Sequence, residues 1–275
     1  MKTFKSPTFI SSILIVVFVL GLYLLINYNK REVVEIEEFT PEEIEEKGSK
    51  LVDYSLISEK KYKEPNEHVV FDVSYPQFKN ASGEFNESIE DLVLEGIEWQ
   101  TEVAEDDWQA RYETRLPGQE ISELPTEEEK YSFSVSWIPI QVNEESISVL
   151  LVFSGYAGGA HGYQNIVSFN YSVEDKEEVS LEDLFPGDSD YLTTISEFSR
   201  KDLEMQFKKK LAVKTKEDER NFDDSIMPML MLGTTPVIEN FSVFTFTPDS
   251  VTFYFAEYQV APYSMGGSKV TIPRK

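Results

Sequence analysis

The chain of 275 residues carries 50 Asp and Glu against 25 Lys and Arg, a formal charge of −25, with two histidines and no cysteine. That charge excludes a nucleic-acid binder, which needs a basic surface. The lack of cysteine excludes disulfides, thiolate metal sites and a cysteine nucleophile. A hydrophobic content of 41% with 13% aromatics is too high for a disordered acidic tail and implies a packed core.

In chain order, the first signal is Thr8 to Asn27, twenty residues without a charge. As a helix this run spans about 30 Å, the thickness of a bilayer's hydrocarbon. Lys2 and Lys5 precede it, and Tyr28, Lys30 and Arg31 follow. A cleaved signal peptide would need a small-x-small site, which the bulky and charged residues after the run do not offer. An uncleaved signal anchor over residues 8–28 is therefore expected, lying in the lipid bilayer, with a short cytoplasmic tail at 1–7. Basic residues flank both ends of the span. The free amino group and the acidic run from Glu32 favour an outside C-terminal part.

Residues 29–67 read as an acidic stalk, with 12 acidic and 5 basic residues between Glu32 and Glu67. Thr40-Pro41-Glu42-Glu43 has the form of a capping box, predicting a helix from Pro41 to about Ile57. From His68 the pattern becomes globular: HVVFDVSY is a strand that Pro76 closes. Asn86 is expected to cap a long helix carrying Ile89, Leu92, Val93, Ile97, Val103, Trp108 and Tyr112. A loop around Pro117, Gly118 and Pro125 follows. Three short-linked strands come next, YSFSVSWIPI, SISVLLVFSGY and YQNIVSFNYSV, predicting an antiparallel meander with one polar face.

The period then returns to that of a helix. Ser180-Leu181-Glu182-Asp183 caps a short turn. A helix from about Ser189 to Ala212 places Leu192, Ile195, Phe198, Leu203, Phe207 and Leu211 on one face. A shorter one near Ser225 to Leu232 follows, and then the strands IENFSVFTFT, VTFYFAEYQV and KVTIP. Strand runs and helix runs are segregated, so the fold class is α+β: a transmembrane helix, then antiparallel sheet modules packed with two long helices. The expected domains are an N-terminal α+β module at 68–128 and a C-terminal domain at 129–275.

Catalytic signatures are missing: no G-x-S-x-G elbow, H-E-x-x-H, P-loop or Rossmann glycine pattern. His68 and His161 lie 93 positions apart, so no metal site, cofactor or catalytic residue is assigned, and an enzyme is not the favoured reading. Acidic runs such as Glu127-Glu128-Glu129 read as solvated surface. Asn80, Asn86, Asn170 and Asn240 each open an Asn-x-Ser triplet, of consequence only in a glycosylating host.

One stretch carries more glycine than a tight hairpin needs: Ser154-Gly155-Tyr156-Ala157-Gly158-Gly159-Ala160-His161-Gly162. Glycine permits positive φ or close backbone approach. The stretch is either a wide structural loop or a recognition surface.

Residues SGYAGGAHGYQNIVSFNYSVEDKEEVSLEDLF resemble the hallmark of the RsiV-like extracellular domain family, a Gly-Gly-Ala-His-Gly loop followed by a strand and a Leu-x-Asp-Leu-Phe turn. FTPDSVTFYFAEYQVAPYSMGGSKVTIP is similar to that domain's end, with its Tyr-x-x-Ala-Pro-Tyr segment. FDVSYPQFKN and the following helix resemble a preceding module shared with some peptidoglycan deacetylases. The resemblance covers about residues 68–275. It implies a bacterial, cell-envelope α+β domain, of which the best understood members are anti-sigma factors binding lysozyme outside the cell. Only Met1 to Pro7 precede the span, so anti-sigma activity is not carried over, and the deacetylases' catalytic domain has no counterpart here.

Charge agrees with that reading: Glu87 to Glu129 hold 15 acidic and 2 basic residues, a field that steers a cationic partner. The expectation is an anchored, extracytoplasmic binding domain for a basic protein such as lysozyme. The binding residues would be Tyr156, Gly158, Gly159, His161, Tyr163, Tyr258, Pro262, Tyr263, Gly266 and Gly267. The alternative is a cell-wall glycan-binding module, or an accessory to a wall hydrolase or deacetylase, using the same aromatics to stack on sugars.

Overall fold

The computed structural model describes residues 51–116, 120–159 and 161–274. The tail, the span and most of the stalk lie outside them. Among the described residues no helix is long and apolar enough to cross a membrane.

A six-stranded sheet is built from β1 (Ile57–Tyr62), β2 (Val69–Phe78), β3 (Tyr131–Val142), β4 (Ser146–Tyr156), β5 (Tyr163–Ser172) and β6 (Glu177–Glu178), in that order. All neighbours pair antiparallel except β2 and β3, which run parallel with Val69 opposite Tyr131. The sheet is thus mixed rather than antiparallel, because helix α1 (Gly83–Glu113) separates β2 from β3 and returns the chain in the same direction. It is also continuous across the expected boundary at 128/129. Residues 57–62, read as stalk, form an edge strand, and the segment before it is a 3₁₀ turn at Tyr54–Leu56 rather than the end of a helix.

Helix α1 buries Phe85, Ile89, Val93, Ile97, Gln100, Ala104 and Trp108, one stripe at steps of three and four. Its cap is Ser82, whose hydroxyl accepts from Phe85 N at 3.1 Å, not Asn86. Asn86 instead clamps strand β2: its Oδ1 accepts from Phe78 N at 2.8 Å and its Nδ2 donates to Phe78 O at 2.9 Å. Pro76 does not close β2. It lies opposite Glu59 in β1, beyond the stretch of β2 that pairs with β3, so its missing N–H costs no ladder bond on that side. Asn80 ties the following turn to the β3–β4 hairpin by donating to Asn143 O at 2.7 Å.

The meander β3–β5 forms as expected, but its second face is not polar throughout. Ile147, Val149 and Leu151 of β4 join the cluster under α1, while Ser148 and Leu150 are buried on the opposite face. What covers them is a second sheet, β7 (Phe244–Phe246), β8 (Ser250–Phe255) and β9 (Ser268–Pro273), antiparallel throughout. Its own core includes Leu203 and Phe207 of α2 (Tyr191–Lys210), Phe222 of α3 (Lys216–Ser225), Leu230 of α4 (Met227–Gly233), Phe241 and Phe253. Each such apolar side chain stabilises the fold by about 1.5–3 kcal/mol.

The two cores are joined by polar side chains. Ser148 Oγ donates to Asn170 Oδ1 at 2.7 Å and accepts from Phe246 N at 3.0 Å. Asn170 Nδ2 donates to Phe244 O at 2.8 Å, and Ser168 Oγ accepts from Phe244 N at 3.1 Å. One edge of strand β7 is thus satisfied by side chains of β4 and β5, while its other edge is laddered to β8.

Three further expectations are corrected. Phe198 and Leu211 are exposed, since the buried stripe of α2 runs through Ile195, Ser199, Leu203 and Phe207. Residues Ile238–Phe241 form a 3₁₀ turn, not the start of a strand, held where Asn240 Nδ2 donates to Leu232 O and Thr235 O at 3.1 and 3.0 Å. Helix α3 was not expected at all, being polar but for Phe222; it rests on a capping box between Thr215 and Asp218.

Candidate functional site

The glycine-rich loop joins β4 to β5, and α1 pins both of its feet. Gly155 faces Tyr163 across the hairpin, and a Cβ there would lie 2.6 Å from the Tyr163 hydroxyl. The gap lets Tyr163 reach over to α1, where its hydroxyl donates to Gln100 Oε1 at 2.6 Å. Gln100 is fully buried and returns its Nε2 to Tyr156 O at 3.1 Å. Trp99 meets the Tyr163 ring edge-on at 5.8 Å. Burial holds the Tyr163 phenol well above its usual pKa. Tyr163 therefore positions the loop, its hydroxyl spent on Gln100.

Gly158 has φ +75°, and a Cβ there would come within 2.1 Å of the Tyr131 hydroxyl. That hydroxyl donates to the Asp107 carboxylate and accepts from Arg111 Nη2 at 2.9 Å, while Arg111 Nε pairs with Asp107 at 2.6 Å. Burial first, and the hydrogen bond to Asp107 second, push the Tyr131 phenol up. Tyr156, 40% exposed, sets its ring edge-on to Tyr131 at 5.9 Å. The loop is a fitted part of the α1 surface.

The second segment follows β8. The chain reverses at Ala256–Gln259 with Tyr258 at φ +66°, a conformation costly for a residue with a Cβ. Gln259 fixes the reversal: its Oε1 accepts from Ala256 N at 3.1 Å, and its Nε2 donates to Asn240 O at 3.0 Å. Pro262 leads into a 3₁₀ turn at Tyr263–Met265 that ends on Gly266, φ +68°.

The two segments meet in a ring stack. His161 lies on Tyr263 at 4.1 Å and 23°, and Tyr263 on Tyr258 at 5.5 Å and 29°. His161 Nδ1 donates to Gly162 O at 2.7 Å. Glu257 lies beside the stack; burial raises its carboxyl pKa and the nearby His161 partly offsets that. The Tyr263 phenol is raised by burial, then by Glu257 and Tyr258. His161 and Tyr258 are exposed and Tyr263 half-buried. Gly267 lines a shallow cavity of about 230 Å³ with Gln206, Lys210 and Lys269, whose walls carry no carboxylate. Among the described residues no three His, Asp or Glu side chains are grouped to hold a metal ion.

Of the residues singled out from sequence, His161, Tyr258 and Tyr263 are thus in one stack. Tyr156 and Gly158 pack on Tyr131, Tyr163 points inward, and Gly159 is exposed. Sequence reasoning missed Gln100, Tyr131, Gln259 and Glu257. A glutamine inside the apolar stripe of α1 was the one signal available.

Residues 62–164 match the family described as "Deacetylase PdaC", and residues 182–275 the one described as "Protein of unknown function (DUF3298)". The peptidoglycan-N-acetylmuramic acid deacetylase PdaC of Bacillus subtilis (strain 168) is 29% identical over 141 residues, 51% of this chain. The chain spans only 27% of that protein's length. A crystal structure of a DUF3298 family member from Bacteroides fragilis covers 79% of this chain and 89% of its own, with a TM-score of 0.52 at 18% identity. A DUF3298 family protein from Pseudomonas aeruginosa covers 79% and 88%, with a TM-score of 0.48 at 18% identity. The Bacteroides likeness is one of fold. The loop falls in the first family match and the Tyr258–Gly267 segment in the second, so the ring stack joins them. The chain is thus similar to the first family over residues 62–164 and to the second over residues 182–275, each less than half of its length.

Proposed function

We propose that the chain is an extracytoplasmic binding protein, tethered by residues 8–28, that takes a basic wall-directed protein of the lysozyme kind on its stacked aromatic surface. The PdaC-type and DUF3298 matches suggest a cell-wall-associated accessory or deacetylase-related module. The observation that carries the reading is the His161–Tyr263–Tyr258 stack, rings from two separate segments held together at the surface. Aromatic side chains in such settings act as binding anchors. Helix α1 adds eleven acidic residues against one arginine, a field that raises the on-rate of a cation.

Surface-binding kinetics against several lysozymes at two ionic strengths test this. Added salt should slow association steeply and change dissociation little, while Tyr263→Ala should speed dissociation at a cost of about 2 kcal/mol. No binding at micromolar concentration removes lysozyme from the reading. The near-parallel rings favour a second reading, a wall glycan stacked on them. Purified peptidoglycan fragments that bind in a Tyr263-dependent, salt-insensitive manner would select it.

A further inference from the structure

We infer that the docking surface runs on from the ring stack over the end of α4 and the turn after it, where Met231, Leu232, Val237 and Ile238 offer an apolar anchor to a basic partner protein. The inference rests on the reading above and adds to it a part of the surface that lies outside the glycine-rich segments.

Four large apolar side chains within eight residues stay in water: Leu232 is 75% exposed, Met231 46%, Ile238 44% and Val237 42%. Exposed Leu or Ile taken singly is ordinary, but a contiguous group is the mark of a contact surface. Their exposure is built in. Asn240 Nδ2 donates to Leu232 O and Thr235 O, Thr235 N donates to Leu232 O at 3.2 Å, and Val237 N to Thr235 O at 2.7 Å. The backbone beneath the patch is therefore fixed before any partner arrives, which lowers the ordering cost of binding. Gln259 donates to both Gly233 O and Asn240 O, so this turn is held against the residue next to Tyr258, itself 44% exposed. Patch and ring stack are neighbours.

Charge selects the occupant. Asp223 and Asp224 precede α4, Glu239 follows Ile238, and Glu257 precedes Tyr258. Arg200, beside the end of α4, is engaged by Thr234 Oγ1 at 3.0 Å and Ser196 Oγ at 3.2 Å. A second copy would set acidic rim against acidic rim with −25 on each chain. Anionic lipid and polyanionic wall polymers meet the same repulsion. A cationic protein with apolar side chains at its contact meets none.

The absence of cysteine gives a direct test. Full-length chain in detergent, carrying a solvatochromic dye on the Leu232→Cys variant, is mixed with c-type lysozyme. The unlabelled Leu232→Ser/Ile238→Ser double variant is measured alongside. The dye should shift to the blue on mixing. The double variant should melt like the parent yet dissociate at least about tenfold faster, with its salt dependence unchanged. Lysozyme binding that needs Tyr263 but leaves the dye and the double variant unaffected overturns the extension and leaves the binding function standing. No binding at all overturns both. A blue shift that appears without lysozyme overturns it too, giving the patch to a second copy if the shift follows concentration, or to lipid if it follows transfer into anionic nanodiscs.

Discussion

Replacing Gly158 by alanine separates backbone strain from steric conflict, because another glycine supplies the strain alone. Gly158 and Gly187 have φ of +75° and +78°, but a Cβ at Gly187 meets nothing within 4 Å, whereas one at Gly158 falls 2.1 Å from the Tyr131 hydroxyl. Gly187→Ala should cost about 1 kcal/mol, the penalty of a left-handed alanine. Gly158→Ala carries the same penalty and must also push Tyr131 off Asp107 and Arg111. Both partners are roughly half exposed, so that loss is about 1–2 kcal/mol, giving about 2–3 in all. At about 2–4 °C per kcal/mol for a domain of this size, Tm should fall by about 4–12 °C for Gly158→Ala and about 2–4 °C for Gly187→Ala. Calorimetry of both variants, alone and combined with Tyr131→Phe, reads the difference. Equal losses for the two alanines would refute the argument, as would a Gly158→Ala penalty of full size in the Tyr131→Phe chain.

Asn170→Ala should cost about 2–3 kcal/mol, since it orphans Phe244 O and unseats Ser148; denaturant unfolding should then split into two steps as the cores uncouple. For Glu257, burial raises the folded pKa above the usual carboxyl value of 4.5, so its contribution to stability is whole below that value and is lost as pH rises through the folded pKa. Glu257→Gln should therefore raise Tm at pH 7, with the gain vanishing near pH 4 in a melting series. The Tyr75 phenol, buried and donating to Glu90 at 3.0 Å, is pushed up to about 12, so stability should fall between pH 10 and 12 and less so in Tyr75→Phe. Ultraviolet difference titration follows that ionisation directly.

Much of this was legible where a single period ruled the local sequence. Tyr131, Phe133 and Val135 alternate with serines and do face α1, and the i, i+4 stripe of α1 lies where its apolar residues fall. Period says which face is buried but not what lies across a strand. Nothing around Tyr163 announced that Gly155 would leave it a passage to Gln100, so its inward turn was not foreseen. The parallel pairing of β2 with β3 depends on the path of α1, a tertiary matter. Helix α3 was hidden because one phenylalanine gives no periodicity, although Thr215-x-x-Asp218 was there to be read. The ring stack that joins the two glycine-bearing segments depends on the tertiary fold and left no mark in the local sequence.

The four Asn-x-Ser triplets gain a meaning from the fold that concerns how the protein is produced. In each, the amide nitrogen to which a glycan would attach is already donated to a main-chain carbonyl: Asn143 O for Asn80, Phe78 O for Asn86, Phe244 O for Asn170, and Leu232 O with Thr235 O for Asn240. Oligosaccharide transfer acts on the nascent chain before such bonds form. Secretion through a eukaryotic glycosylating pathway would thus crowd sugars onto atoms that hold turns and sheets together, and at Asn240, whose Nδ2 donates twice, it would also cost a hydrogen bond. Expression in a host without N-linked transfer avoids that outcome at all four positions.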